Sequence, residues 1–386
     1  MKIEDLALQR SKYKHLTDDE WRWFLQQVEG RERTADKLPT FSAIEDWWYP
    51  VRLSCEQCSS ELAAKYKASL ISNLGFQNSN FVDLTGGYGV DTYFLSEQFE
   101  HTDYVEQNAE LCRIAAHNFA NKPITIHNTS AEEFLKTAGQ YDLIFLDPAR
   151  RDSHGGKVFR LEDCTPNVVE LLPTLLAHGK RLMFKLSPML DLTQAMHKLK
   201  SDNGQGTKVN WDIHIVAIKN EVKEVLLLSG GSGQITAIDL DKKDQAFVFT
   251  REEESNSRTL VWVLQQSGLT SNSASGLFLY EPNAAILKAG AYKLVAERFG
   301  LTKLDVNTHL YVLESLVADF PGRIWRIKSQ ITNHQLPITN ANILVRNYPL
   351  KPEQLKKKLR LRDGGTDFVI GCRVNGKPTL FFAERV

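Results

Sequence analysis

The stretch Phe81-Val82-Asp83-Leu84-Thr85-Gly86-Gly87-Tyr88-Gly89-Val90-Asp91 decides the fold. A short apolar run ends on an acid, passes through three glycines and re-enters an apolar helical pattern over 90–99. Without a Cβ, glycine lets the backbone turn sharply and come close to a ligand. The next strand, 103–106, ends on Glu106, 23 residues after Asp83. A carboxylate there can accept hydrogen bonds from both hydroxyls of a ribose.

Working outward, 60–73 reads as a helix before the loop. Strands follow at 124–126, 143–147 and 181–186, with helices at 109–119, 132–135, 168–176 and 192–199. Strands alternating with helices imply a mostly parallel, doubly wound sheet. Two further strands, 213–218 and 225–228, are joined by a charged turn too short for a crossover helix, so the last strand should be antiparallel. The expected class is α/β, a Rossmann-like sheet with an antiparallel last strand. An N-terminal helical segment precedes it and a C-terminal α+β module follows.

That N-terminal segment carries Trp21, Trp23, Phe24, Trp47, Trp48 and Tyr49, read as packing residues. Thr17 and Glu20 form a capping box for its first long helix. Beyond the sheet, 234–250 reads as an extra hairpin and 252–275 as a polar linker, apolar only at 260–264. The C-terminal module opens with a strand at 277–280 and one helix over 284–299. Strands at 310–313, 324–327 and 343–346 follow, then a basic helix at 352–359. A final hairpin, 368–374 with 378–383, turns on Asn375-Gly376. The expected segments are 1–60, 61–233, 234–275, 276–320 and 321–386.

Composition narrows the classes. The 386 residues hold 47 Lys and Arg against 47 Asp and Glu, so net charge argues neither for nor against a polyanion partner. The tail differs: 319–386 holds 13 basic and 5 acidic residues, an asymmetry that suits one. No apolar run reaches the roughly 20 residues of a membrane span, and no signal-peptide pattern opens the chain. Five irregularly spaced cysteines fit a reducing cytoplasm rather than a disulfide framework. Cys55 and Cys58 lack a second ligand pair, so they read as inward-packing thiols, and no metal is expected.

The loop at Asp83 resembles the first motif of class I S-adenosylmethionine-dependent methyltransferases, Asp-x-Gly-x-Gly-x-Gly. Thr85 stands where the first glycine is usual, and Gly86 is added. Val105-Glu106-Gln107-Asn108 resembles the second motif, Ser130-Ala131-Glu132 the adenine-framing loop, and Asp147-Pro148-Ala149-Arg150 the fourth motif. Together they span about 60–230. The resemblance implies S-adenosylmethionine as cofactor, held by Asp83, Thr85, Gly86, Gly87, Gly89, Glu106, Ser130, Ala131 and Asp147. The rival, an NAD(P)-dependent oxidoreductase, would want glycine at Thr92 and leaves Asp147-Pro148 unexplained.

The acceptor reads less directly. Amino-methylating relatives place an aromatic at the position of Arg150. Uridine C5 methyltransferases need a cysteine near Lys185-Leu186-Ser187-Pro188, and only Cys164, in the preceding loop, is near. Ribose 2′-O-methyltransferases use a Lys-Asp-Lys-Glu tetrad, which by position matches Lys67, Asp147, Lys185 and Glu224, with Glu221 as the alternative acid. An amine of lowered pKa there would take the hydroxyl proton. Pro148, Arg150 and Arg151 are expected substrate contacts, and Arg150, Arg151, Lys157 and Arg160 crowd the loop after Asp147, where guanidinium groups suit phosphates.

The C-terminal module resembles the ferredoxin-like and THUMP-like appendage of a bacterial methyltransferase family. The residues that carry this are 343–350, Lys356-Lys357-Lys358 and 361–367. The resemblance implies an RNA partner, with Lys356, Lys357 and Lys358 as contacts. The sequence also allows an RNA-docking protein on an inactive methyltransferase fold.

Overall fold

The computed structural model describes residues 6, 9–72, 74, 75, 79–150, 160–200, 209–242, 246–258, 275–332, 336 and 338–386. Their contacts divide the chain into one unit of 1–212 with 224–232 and another of 213–223 with 233–386. The expected strand at 260–264 lies outside the described residues.

The first unit opens with helices α1 (Asp18–Thr34), α2 (Pro39–Ala43), α3 (Arg52–Gln57) and α4 (Glu61–Ser72). Thr17 starts α1 through the expected capping box, its Oγ1 accepting from Glu20 N while the Glu20 carboxylate accepts from Thr17 N at 2.7 Å. Then come β1 (Asn80–Asp83), α5 (Val90–Leu95), β2 (His101–Glu106), α6 (Ala109–Asn118), β3 (Ile124–Asn128), α7 (Ala131–Leu135) and β4 (Tyr141–Leu146). Two short strands, β5 (Ala149–Arg150) and β6 (Cys164–Thr165), pair with each other. Next are α8 (Val168–His178), β7 (Gly179–Leu186) and α9 (Leu192–Lys200), then β8 (Trp211–Ile218), which from Ile213 onward belongs to the second unit, and β9 (Glu221–Ser229), which returns to the first at Glu224.

Strands of this unit lie in the order β9-β7-β4-β1-β2-β3. All neighbours are parallel except β7 and β9, where Met183 faces Leu228 in antiparallel register. The chain runs outward from β1 to β2 and β3, then returns to β4 on the other side. That reversal opens a crevice at the carboxyl ends of β1, β2 and β4. Phe81, Tyr104, Leu143 and Phe145 are buried beneath it. The N-terminal aromatics Trp47 and Tyr49 join the same core, as expected of packing residues, and Phe41 packs with them. Trp47 Nε1 donates to Tyr88 Oη at 2.9 Å, tying this segment to the glycine loop.

In the second unit β8 pairs in parallel with β10 (Gln234–Asp239), which forms the expected hairpin with β11 (Phe247–Thr250). Helix α10 (Arg251–Asn256) follows, then β12 (Phe278–Pro282), α11 (Ala284–Ala289), α12 (Leu294–Phe299), β13 (Thr302–Asp305), β14 (Thr308–Leu313), β15 (Gly322–Gln330), β16 (Asn342–Arg346), α13 (Pro352–Leu359), β17 (Asp367–Val374) and β18 (Lys377–Arg385). The helix expected over 284–299 is two helices. Gly290, at φ +79°, caps α11 by donating to Ile286 O and Leu287 O, a left-handed conformation that ends a helix. Strand β13 was absent from the sequence reading; its Thr-Lys-Leu-Asp composition is weakly strand-like and it lies at a sheet edge.

Seven strands form one sheet in the order β13-β14-β12-β15-β18-β17-β16. Asn375 and Gly376, both at positive φ, make the β17–β18 turn. The sheet curls. Asn375 N at that turn donates to Leu304 O of β13 at 3.1 Å. Arg346 Nε on β16 reaches Glu281 Oε1 on β12 at 2.5 Å, although three strands intervene in the sheet order. Leu279, Leu310, Trp325, Ile370 and Phe381 fill the interior.

Candidate functional site

A cavity of about 330 Å³ occupies the crevice of the first unit, within the roughly 300–1,000 Å³ of small-ligand sites. The glycine loop forms its floor. A Cβ on Gly86 would stand 2.1 Å from the Tyr104 ring, and one on Gly89 (φ +81°) 2.5 Å from the Phe119 ring. Tyr104 Oη donates to Gly87 O at 2.6 Å and pins the turn from below. Glu106 binds the loop from the side, accepting from Gly87 N at 3.0 Å and Asn108 N at 2.7 Å. The remaining lone pairs of that carboxylate are available to hydroxyl donors. Ser130 caps α7 by accepting from Glu133 N, and with Ala131 it lines the far wall.

Asp83 also borders the cavity, but its carboxyl serves the loop. Oδ1 accepts from Thr85 N at 2.9 Å and Oδ2 from Thr92 Oγ1 at 2.6 Å. Burial pushes its pKa up to about 7, against the lowering effect of those bonds. Thr85, the departure from the glycine pattern, has a use of its own. Its Oγ1 accepts from Asp147 N at 2.7 Å and so couples the first motif to the fourth.

Five charged side chains run from the interior into this cavity. Lys67, fully buried, donates to both oxygens of Glu224 at 2.6 and 2.8 Å and to Ser59 Oγ at 3.3 Å. Asp91 Oδ1 makes an ion-pair contact with Lys67 at 3.1 Å, and Asp91 Oδ2 one with Lys185 at 3.7 Å. Lys185 in turn donates to Asp147. Signs alternate along the row Glu224, Lys67, Asp91, Lys185, Asp147. Burial pushes the Asp91 carboxyl up, but the two ammonium groups and the Ser59 hydroxyl outweigh it and hold it below the usual carboxylate range.

The four tetrad residues thus lie in one network, but only Asp147 and Lys185 line the cavity. Lys67 and Glu224 are sealed beneath it, because they occupy the inner faces of α4 and β9. The expected lowering of pKa is not found at Lys185. Burial depresses Lys185, but Asp147, Asp91 and Glu224 overcome that and raise it above the ordinary lysine range. Pro148 is buried and is not among the cavity residues, whereas Ala149 is. Arg151, Lys157 and the side chain of Arg150 lie outside the described residues. Lys356 pairs with Asp363, while Lys357 and Lys358 are exposed on α13.

Sequence reasoning missed two contributors. Asp91, in the first turn of α5, bridges Lys67 and Lys185 and lines the cavity. Ser54, Gln57, Cys58 and Ser59, at and after α3, form one wall of the cavity. Cys55 and Cys58 are free thiols, the Cys55 thiol pushed up to about 12 by burial. Among the described residues no group of three or more His, Cys, Asp or Glu is arranged to hold a metal.

Comparison with known proteins agrees with this architecture. A protein of Porphyromonas gingivalis W83, assigned as a methyltransferase and solved by crystallography, is 30% identical at a TM-score of 0.80, covering 96% of this chain and 92% of its own. A ferredoxin-like domain is matched at residues 278–321 and a THUMP domain-like region at 322–385. The chain belongs to the S-adenosylmethionine-dependent methyltransferases that carry these two C-terminal domains. Uncharacterized S-adenosylmethionine-dependent methyltransferases from two Mycobacterium tuberculosis strains are each 22% identical over 372 residues, or 91% of this chain and 92% of theirs. In this chain the ferredoxin-like and THUMP-like segments share the single seven-stranded sheet, joined where β12 pairs with β15.

S-adenosylmethionine is the cofactor of this methyltransferase, and the cavity fits it. The loop leaves no room for side chains at Gly86 and Gly89. Glu106 stands at the end of β2, where a ribose would be met. No helix among the described residues is long and apolar enough to cross a membrane.

Proposed function

We propose that the protein methylates RNA, with transfer at Asp147 in the first unit and RNA held by the second. The observation that carries this is the meeting of two features in one chain. A cavity fitted to S-adenosylmethionine has a Lys185–Asp147 ion pair in its wall. A THUMP domain-like region occupies 322–385, within the basic tail. In this reading the segments 1–60, 61–233, 234–275, 276–320 and 321–386 act as helical cap, transfer domain, hairpin with linker, and the two docking segments.

The cofactor, when bound, supplies an electrophilic methyl group. Glu106 accepts hydrogen bonds from its ribose, and the Gly86–Gly89 loop provides close backbone. Ser130 and Ala131 border the adenine. Asp83 and Thr85 keep the loop and Asp147 in register. Asp147, 38% exposed at its side chain and tethered by Lys185, presents a carboxylate oxygen to the acceptor.

A base nitrogen suits this arrangement better than a ribose hydroxyl. A 2′-hydroxyl needs a base to take its proton, and Lys185 is held as an ammonium by its carboxylate neighbours. An exocyclic amine would attack through its lone pair without prior deprotonation, Asp147 accepting from its N–H to orient it, and the proton would leave to water after transfer. Orientation of the nucleophile then supplies most of the acceleration.

Calorimetric titration with S-adenosylmethionine, beside Glu106→Ala and an NADH control, tests the cofactor site. Incubation of bulk tRNA and ribosomal RNA with methyl-labelled cofactor, followed by nucleoside mass spectrometry, tests the substrate. Label in a base-methylated nucleoside is expected. Label in protein alone, or in a 2′-O-methylribose, would overturn the reading.

A further inference from the structure

We propose that Arg323 and Arg346, clamped on the buried carboxylate of Glu281, form a preset site for an RNA backbone phosphate. The inference rests on the proposal that the substrate is RNA and assigns a contact point within the second unit.

Glu281 sits on β12 with its side chain 2% exposed. Arg323 lies directly across from it on β15. Arg323 Nε donates to Glu281 Oε2 at 2.8 Å and its Nη2 donates to the same oxygen. Arg346, at the end of β16, donates through Nε to Oε1 at 2.5 Å and through Nη1 to Val345 O. Both oxygens of the acid are therefore engaged, one by each guanidinium.

Charge balance shows that this is more than a staple. A buried carboxylate needs a compensating cation, and one guanidinium supplies it. The second leaves the cluster with a net positive charge at the surface, where the arginine side chains are 28% and 40% exposed. Arg323 Nη1 and Arg346 Nη2 have no partner among the described residues. Arg323 also lies over the Trp325 ring at 5.4 Å, which fixes its plane. Fixed guanidinium forks with spare N–H groups match the paired oxygens of a phosphodiester, and their immobilisation lowers the entropy lost on binding.

The test uses the full chain, fluorescently labelled bulk tRNA as probe, and inorganic phosphate as competitor. Arg346→Gln and Arg323→Gln remove one fork each. Arg346→Lys keeps the ion pair and removes only the fork, so it reports on binding should a glutamine variant fold poorly. Each folded variant should lower RNA affinity several-fold, and the glutamine variants should reduce the log–log salt slope by about one. Affinity for S-adenosylmethionine should stay unchanged. Wild-type RNA binding with unaltered affinity and slope in the folded variants would overturn this site and leave the RNA reading standing. Absence of RNA binding by the wild type would overturn both. Displacement of RNA by low millimolar phosphate, with equal phosphate affinity in direct titration, would assign the site to free phosphate instead.

Discussion

Lys67 and Glu224 stand 157 positions apart in the chain, and their side chains meet at 2.6 Å in the interior of the first unit. Neither reaches the cavity. Removing one partner of a buried pair strands the other, at a cost of about 3–5 kcal/mol. Lys67→Met would remove the ammonium that Glu224 contacts, while Asp91 keeps Lys185 and the Ser59 hydroxyl. The variant's urea unfolding midpoint is expected to fall accordingly, while Lys67→Met/Glu224→Met recovers part of the loss by making the pair apolar. Additive losses in the double variant would show that the two side chains are energetically independent.

Lys185 carries a different expectation, because it lies at the cavity wall. Lys185→Ala removes the cation that tethers Asp147 while leaving Glu106 and the glycine loop intact. Methyl transfer should fall by about a hundredfold, within the range for a positioned polar group at a reacting centre. Cofactor affinity should change less than threefold. Lys185→Arg should restore part of the rate by restoring the charge. Full activity in the alanine variant would remove Lys185 from the mechanism.

Much of this site was legible before the structure because the chemistry sits at strand ends. Apolar runs closed by glycine or acid mark where β1, β2 and β4 stop, and Glu106 and Asp147 follow from that. Lys67 and Glu224 were legible only through the family resemblance, since a lysine within a helix pattern ordinarily reads as solvated. Asp91 was passed over because an acid in a first helical turn ordinarily answers the helix dipole. Here it bridges two lysines. The wall from Ser54 to Ser59 was illegible for a topological reason: those residues precede the sheet in sequence and return over its crevice. The break at Gly290 was missed because apolar spacing continues through it.

The glycines make a sharper prediction than their motif alone. Gly86→Ala drives a methyl into the Tyr104 ring beneath the loop, whereas Gly89→Ala meets the Phe119 ring and also strains a left-handed backbone. Each should weaken S-adenosylmethionine binding at least tenfold. Tyr104→Leu opens space below Gly86, so Gly86→Ala should cost less in that background, while Gly89→Ala should cost the same as before. A calorimetric double-mutant cycle reads this coupling. Equal costs in both backgrounds would mean that the Gly86–Tyr104 contact does not shape the loop.

Asp83 gives the pH prediction. Its folded pKa is raised to about 7 by burial, above an unfolded value of about 3.9. The folded state therefore favours the protonated acid. The stability this contributes is fully present below about pH 3.9 and is lost as pH rises through about 7. Asn at this position keeps the shape and can still accept from Thr85 N through Oδ1, while its amide donates to Thr92 Oγ1. Asp83→Asn should therefore resemble the wild type in melting temperature only near pH 4 or below, and exceed it by a margin that grows up to about pH 7 and then levels, on the order of 2–4 °C for each kcal/mol of ionisation cost. Melting curves across that range decide it. A margin that stays constant or shrinks as pH rises from about 4 to about 7 would show that Asp83 is ionised throughout, held by Thr85 and Thr92 despite its burial.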